Sequence, residues 1–290
     1  MNPTSPNPAS SHSPRVSIIM LSYQRPERIG QAIASIVSQS FPAWELIVVQ
    51  DGKNPSTIAQ MAEWTARDAR IIHLRRDQGG NIADATNYGL ARARGQYIAI
   101  LDDDDTWASD DKLAMQVEFM DKHTDHAGCG GGAMVVDGEG RERSRYLKPE
   151  HDAGIKRVAL RANPMIHGTG LYRRALIEQL GRYDVSLAGF QDWDVWLKLG
   201  GAGKLYNFPL YLLNYTIWDG GGSFTHQRRN TESGLRIVWR HRRHYPGFLL
   251  AWLMMFAYYL YSYLPLGLRK LTFGALSRLK KAVFAQPRTT

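Results

Sequence analysis

Cysteine is nearly missing. A single Cys129 among 290 residues excludes an intrachain disulfide framework and a cysteine zinc site, and it fits a reducing compartment. An apolar leader is missing too: residues 1–14 are rich in Pro, Ser and Asn, so they read as a disordered lead and not as a signal peptide. No G-x-G-x-x-G follows the first apolar run and there is no P-loop, which disfavours NAD and Walker-type ATP use. With no RNA-binding aromatic signature and no helix-turn-helix pattern, nucleic acid is not an expected partner despite a net charge of +9.

What is present is ordinary for a globular chain, 44% hydrophobic and 22% charged. The positive excess is uneven. Arg228, Arg229, Arg236, Arg240, Arg242, Arg243, Arg269, Lys270, Arg278, Lys280 and Lys281 crowd the last quarter. Beside them, residues 248–268 contain no charge, and about twenty apolar residues suffice to span a bilayer. Against spanning stand Pro265, four tyrosines (Tyr258, Tyr259, Tyr261, Tyr263) and basic flanks on both sides. An interface-embedded helix pair, with residues 268–284 as an amphipathic second arm, is the other membrane reading. A helix buried in the core or in a dimer interface is the third.

The first half alternates apolar runs with helical patterns. Residues 16–21, 45–49, 70–74 and 97–101 read as strands, and Ile29, Ile33, Ile36 and Val37 share one helical face. A second helix follows at Ile58, Met61, Ala62 and Thr65, and a small-residue helix spans 83–94. This βαβαβαβ order implies a Rossmann-like, mostly parallel sheet with flanking helices. Further on, Leu113, Val117 and Met120 mark a helix. Glycines at 128–132 and the segment 137–140 bracket a strand at 133–136, and residues 141–165 give weak signals. Residues 169–172 are strand-like, 174–180 helical and closed by Gly181. Asp192 opens a helix with Val195, Trp196 and Leu199 buried, and the run 205–213, interrupted by Pro209, reads as an edge strand. The expected organisation is a lead at 1–14, a catalytic domain at 15–240 and a basic, apolar helical tail at 241–290.

Four consecutive carboxylates, Asp102 to Asp105, stand where the strand Tyr97-Ile98-Ala99-Ile100-Leu101 stops. Ligands of open α/β sheets collect beyond the carboxyl ends of strands, and alternating carboxylates there suit Mg²⁺ or Mn²⁺ carrying a phosphate. A solvated acidic turn that caps the next helix is the plainer alternative.

Several segments then line up in one order. They are Ser22-Tyr23-Gln24-Arg25-Pro26, Ser35-Ile36-Val37-Ser38-Gln39-Ser40, Trp44-Glu45-Leu46-Ile47-Val48-Val49-Gln50-Asp51-Gly52, Ala85-Thr86-Asn87-Tyr88-Gly89, Gly95-Gln96-Tyr97 with the acidic run, and Gln191-Asp192-Trp193-Asp194. Over roughly residues 15–225 the chain resembles the family 2 glycosyltransferases of GT-A fold. The resemblance implies a nucleotide-diphospho-sugar donor, UDP-sugar favoured, a divalent cation (Mn²⁺ or Mg²⁺) and inversion at the anomeric carbon. It assigns Asp102 and Asp104 to the D-x-D positions, Asp104 on the metal and Asp102 nearer ribose or sugar. Asp103 joins the donor-binding group, and Asp103 and Asp105 support the site or cap a helix. Asp192 becomes the general base, kept ionised by a helix start, although alone it would read as a plain helix cap. Asp51 reads the nucleotide base, with Tyr23 and Arg25 beside it. His226, with Asp219 as substitute, is the candidate late metal-side residue, though a lone histidine is equally a structural or solvent-facing one.

Three positions depart from the family pattern: Gln50, Thr86 and Gln191 stand where aspartate, arginine and glutamate are usual. Arg75 or Arg76 is expected to offset the charge missing at Thr86. The expected acceptor is a lipid-linked or cell-surface glycan at the cytoplasmic face of a membrane, reached through the tail. A sugar nucleotidyltransferase would need a Gly-rich basic loop that residues 22–26 lack, and a non-catalytic sugar-nucleotide-binding subunit would not need Asp104 and Asp192.

Overall fold

The computed structural model describes residues 13–23, 26–77, 79–217 and 227–265. Arg25, Asp219, His226 and the arm expected at 268–284 lie outside the described residues.

Among the described residues nine strands form one sheet. They are β1 (Val16–Ser22), β2 (Trp44–Asp51), β3 (Ile71–Arg76), β4 (Tyr97–Ile100), β5 (Thr106–Trp107), β6 (His126–Val136), β7 (Glu142–Tyr146), β8 (Leu171–Arg173) and β9 (Lys204–Thr216). The helices are α1 (Pro26–Val37), α2 (Pro55–Arg67), α3 (Ile82–Leu90), α4 (Lys112–Lys122), α5 (Asp152–Val158), α6 (Arg174–Gln179), α7 (Gln191–Ala202), α8 (Gln227–His241) and α9 (Phe248–Tyr261). A short 3₁₀ turn covers His167–Thr169.

The sheet runs β3-β2-β1-β4-β8-β6-β9-β5, with β7 added to β6. Its first four strands are parallel, as their continuous apolar runs require. Beyond β4 the sheet is mixed: β8 is antiparallel to both β4 and β6, while β6 and β9 run parallel. The expectation of a mostly parallel sheet therefore holds only on the N-terminal side.

Successive strand residues face opposite layers. Ile18, Met20, Leu46 and Val48 pack with Ile29, Ile33 and Met61 on one side, and Ile19, Ile47, Val49 and Ile98 pack with Ala85, Val195 and Trp196 on the other. Gly95 admits no side chain, because a Cβ there would lie 2.5 Å from the backbone nitrogen of Ser17.

Residues 128–132, expected to bound a strand, lie inside β6. Interior glycine normally weakens a strand, but here it makes room: a Cβ on Gly128 would stand 3.0 Å from the Trp196 ring, and one on Gly131 2.7 Å from Leu212. Only Leu213 and Asn214 of β9 meet β5, and Pro209 falls where the β6 register shifts, so most of that strand does form an edge.

A third apolar cluster joins α7 to the C-terminal helices through Trp193, Leu197, Ile237, Val238, Ala251 and Met255. Gly234 lets them cross closely, since a Cβ there would meet the Met255 sulfur at 2.7 Å. The line expected between residues 240 and 241 thus falls within the last turn of α8. Among the described residues no helix is long and apolar enough to cross a membrane. The 14 residues of α9 extend about 21 Å, against a hydrocarbon core of about 30 Å.

Candidate active site

The parallel strands aim their carboxyl ends at one edge of the sheet, and the loops leaving β1, β2 and β4 meet there. The acidic run divides by direction. Asp102 is exposed and Asp104 half-buried, while Asp103 and Asp105 are buried at 5% and 2% exposure. The Asp103 carboxylate accepts from the Tyr23 backbone N–H at 3.3 Å, and Asp105 accepts from Thr216 N–H at 2.8 Å. Burial, with Asp104 and Asp102 close by, pushes the Asp103 carboxyl up to about 7. Burial and the Asp102 charge push Asp105 up to about 9.

These inward groups tie the β4 exit to β1 and β9. They cap no helix: α4 starts at Lys112, and its cap residue Asp111 makes no side-chain cap bond. Asp103, expected among the donor contacts, is turned into the protein.

Tyr23 lies across the β1 exit, more than half exposed, with its ring over Gly52 and Gly79. Together with Gln50, Asp51, Lys53 and Asn54 it lines a shallow cleft. Gly52 adopts φ +110, a left-handed conformation that suits glycine at this turn. Gln50, standing where an aspartate is usual, braces the turn. Its amide donates to the carbonyls of Gly52 and Asn54, and its oxygen meets His73 Nε2 at 2.9 Å.

Asp51 is buried at the cleft floor. Its Oδ2 accepts from Gly80 N–H at 3.0 Å, and Oδ1 stands 3.4 Å from Nε of Arg76, its register partner on β3. Neither Asp51 Oδ1 nor Arg76 Nη1 has a hydrogen-bond partner, though both are buried. An acceptor and a donor left side by side in this way call for a ligand edge of opposite pattern. Thr86 bonds back to the Ile82 carbonyl of its own helix, and Arg76 turns to Asp51 and Asp84. Arg76 therefore stands with Asp51 and not with Thr86.

Asp192 occupies the first turn of α7, which starts after Phe190 in a left-handed conformation. Its Oδ2 accepts from Asn163 Nδ2 at 2.8 Å. Close by, Trp196 Nε1 donates to His167 Nδ1 at 3.2 Å. An indole only donates, so the neutral His167 carries its proton on Nε2 and donates to Tyr183 Oη at 3.0 Å, leaving that hydroxyl to donate to Tyr172. Burial holds His167 below its ordinary value and Tyr183 well above. The charges of Asp192 and Asp102 add to the rise at Tyr183, so both carboxylates stand within electrostatic reach of that phenol.

Asp194, two positions on, faces the other way. It is fully buried, at 2.9 Å from each of Lys198, Arg240 and His241, and it anchors α8 to α7. Sequence reasoning missed Asn163, His167, Tyr183 and the partnership of Arg76. Asn163 lies in the stretch of weak signals, and none of the four belongs to a motif of its own.

Among the described residues no cluster of three or more His, Cys, Asp or Glu is arranged to hold a metal. Two outward carboxylates still fit a divalent cation bound with a diphosphate, because Mg²⁺ of this kind takes one or two carboxylates and completes its shell with phosphate oxygens and water.

A family profile described as Glycosyl transferase family 2 matches residues 17–181, more than half of the chain. EpsE of Bacillus subtilis (strain 168), provisionally named as a glycosyltransferase, is 31% identical over 188 residues, 64% of this chain and 66% of its own. The Escherichia coli protein WfgD, named UDP-Glc:alpha-D-GlcNAc-diphosphoundecaprenol beta-1,3-glucosyltransferase, is 38% identical over 108 residues, 37% of this chain and 42% of its own. The matches therefore cover just under two thirds of EpsE and less than half of WfgD. Among solved structures, the mannosyltransferase PcManGT from Pyrobaculum calidifontis, in complex with GDP-Man and Mn²⁺, superimposes with a TM-score of 0.61 at 17% identity, over 92% of this chain and 81% of its own.

Proposed function

Since the chain belongs to glycosyl transferase family 2 and is a glycosyltransferase, we propose that it moves a sugar from a UDP-sugar to a glycan hydroxyl with inversion at the anomeric carbon. The observation that carries this reading is the division of the acidic run. Asp102 and Asp104 face outward at a strand end, and Asp102 and Asp192 both stand within electrostatic reach of the buried Tyr183.

Asp104, with Asp102 beside it, would hold Mn²⁺ or Mg²⁺. Bound there, the ion offsets negative charge on the departing diphosphate. Asp192 takes the acceptor O–H proton as that oxygen bonds the anomeric carbon. The carbon–oxygen bond to the diphosphate breaks, and its electron pair leaves with UDP. Inversion needs one base, on the face opposite the leaving group.

The cleft supports uracil in particular. Asp51 Oδ2 is already engaged by Gly80, leaving Oδ1, ion-paired with Arg76, and the Arg76 Nη1 donor without a hydrogen bond. The imide edge of uracil offers one N–H flanked by carbonyls, a donor for the carboxylate and an acceptor for the guanidinium, which matches.

The acceptor is a lipid-linked or cell-surface glycan, in keeping with WfgD, whose name specifies a diphosphoundecaprenol substrate. Membrane attachment at the cytoplasmic face is supported by α9. Leu249, Leu253, Phe256 and Leu260 form an exposed apolar face, with Arg228, Arg229 and Arg243 exposed on and after α8.

The test is a turnover screen of UDP-, GDP- and dTDP-sugars with Mn²⁺ and polyprenyl-diphosphate-sugar acceptors, comparing wild type with Asp192→Asn. Transfer is expected from a donor bearing the imide edge, falling by ~10²–10⁴ in the variant. Equal transfer by both proteins would remove Asp192 from the mechanism.

A further inference from the structure

Asn163 lies between α5 and the 3₁₀ turn, 29 residues before the carboxylate it meets. Four restraints fix it. Its own Oδ1 accepts from Met165 N–H at 3.2 Å, which orients the amide: reversing it would set oxygen against the Asp192 carboxylate. Its main-chain carbonyl accepts from Lys148 Nζ at 2.9 Å. The following Pro164 narrows the backbone freedom of Asn163. Finally, the buried Asn207 of β9 donates through one nitrogen to the carbonyls of Pro149, at 2.9 Å, and Pro164, at 3.2 Å, clamping both ends of the segment to the sheet.

The Asn163 N–H is thus held in place before any substrate arrives. A carboxylate rotates easily about its last bond, with two equivalent orientations and a broad well between them. An N–H fixed 2.8 Å from one oxygen removes that freedom. Around the same carboxylate, the His167 imidazole and the Tyr183 phenol are close enough to sense its charge.

We infer that Asn163 is a positioning residue for sugar transfer: its amide holds Asp192 Oδ2 so that Oδ1 is presented to the acceptor hydroxyl. This rests on Asp192 being the general base. Misplacing a reacting group by about 1 Å costs on the order of 100-fold in rate, so loss of this restraint acts on kcat. Donor affinity, set at the other end of the site, does not depend on it.

A double-mutant cycle tests the inference: wild type, Asn163→Ala, Asp192→Asn and the double variant, with residual transfer followed by radiolabelled donor. Asn163→Asp serves as an isosteric control that keeps volume but lacks the donor, and thermal midpoints confirm that each variant is folded. Asn163→Ala is expected to lower kcat by about 10- to 100-fold with donor KM within about twofold, and to cause no further loss once Asp192 is Asn. Asn163→Asp is expected to be at least as slow as Asn163→Ala. Wild-type kcat in Asn163→Ala while Asp192→Asn is slow would overturn the positioning role and leave the base assignment standing. The same fold-loss in both backgrounds would also overturn it, since Asn163 would then act through packing. Full activity in Asp192→Asn would remove the base and this inference with it.

Discussion

Asp51 ends β2 with one carboxylate oxygen bonded to Gly80 N–H and the other 3.4 Å from Arg76 Nε, so its charge is held at the floor of the cleft. Its place after an apolar strand and before Gly52 marks it in the sequence. That one of its oxygens is ion-paired with Arg76 yet lacks a hydrogen bond depends on the β2–β3 register, which no local pattern encodes. The same holds elsewhere. Asp102, Asp104 and Asp192 are visible through motifs, whereas Asn163 reaches Asp192 from a loop that long-range contacts such as those of Asn207 hold in place. Asp103 and Asp105 are not the helix caps that the sequence suggests, since four like residues in a row do not reveal which two face inward. If Asp51 reads an imide N–H, Asp51→Asn should weaken UDP binding by about 10- to 100-fold, the worth of one hydrogen bond to a charged group. Calorimetry with UDP measures it, and an unchanged UDP affinity would exclude Asp51 from base recognition.

At the level of elements, β1, β2 and β4 are readable because a strand buried on both faces must be apolar throughout. The start of β6 is not, because its glycines make room for Trp196 of α7 and for Leu212 of the adjacent strand β9. The stretch 141–165 is unreadable for a different reason: β7 is exposed along its whole length and α5 has only seven residues, so neither shows a periodicity. The charge-free run that suggests a membrane span resolves into α9, with one side on α8 and the other outward. Replacing Leu249, Leu253 and Leu260 together by Gln should reduce co-sedimentation with phosphatidylglycerol-rich vesicles by at least about tenfold, each leucine contributing on the order of 1 kcal/mol or more. Wild-type co-sedimentation by the variant would exclude this face as the lipid contact. A concentration-dependent dimer dispersed by the same substitutions would assign the face to a second copy of the chain.

Across the whole molecule, two apolar layers enclose the sheet and a third joins the C-terminal helices to α7. That helix carries both roles: Asp192 faces the site and Asp194, locked to Arg240 and His241, fixes the C-terminal helices behind it. A surface that docks α8 and α9 on a bilayer would therefore set the orientation of the proposed base relative to that bilayer. In the proposed mechanism the outward pair at the β4 end binds the donor diphosphate through a divalent cation, separately from Asp192. Titration of UDP into wild type, Asp104→Ala and Asp192→Asn, with and without Mn²⁺, tests this most directly. The account predicts Mn²⁺-dependent UDP binding that is weakened at least about tenfold in Asp104→Ala, the loss expected when an ion contributing several kcal/mol loses its carboxylate, and is kept in Asp192→Asn. Wild-type, Mn²⁺-dependent binding by Asp104→Ala would contradict it.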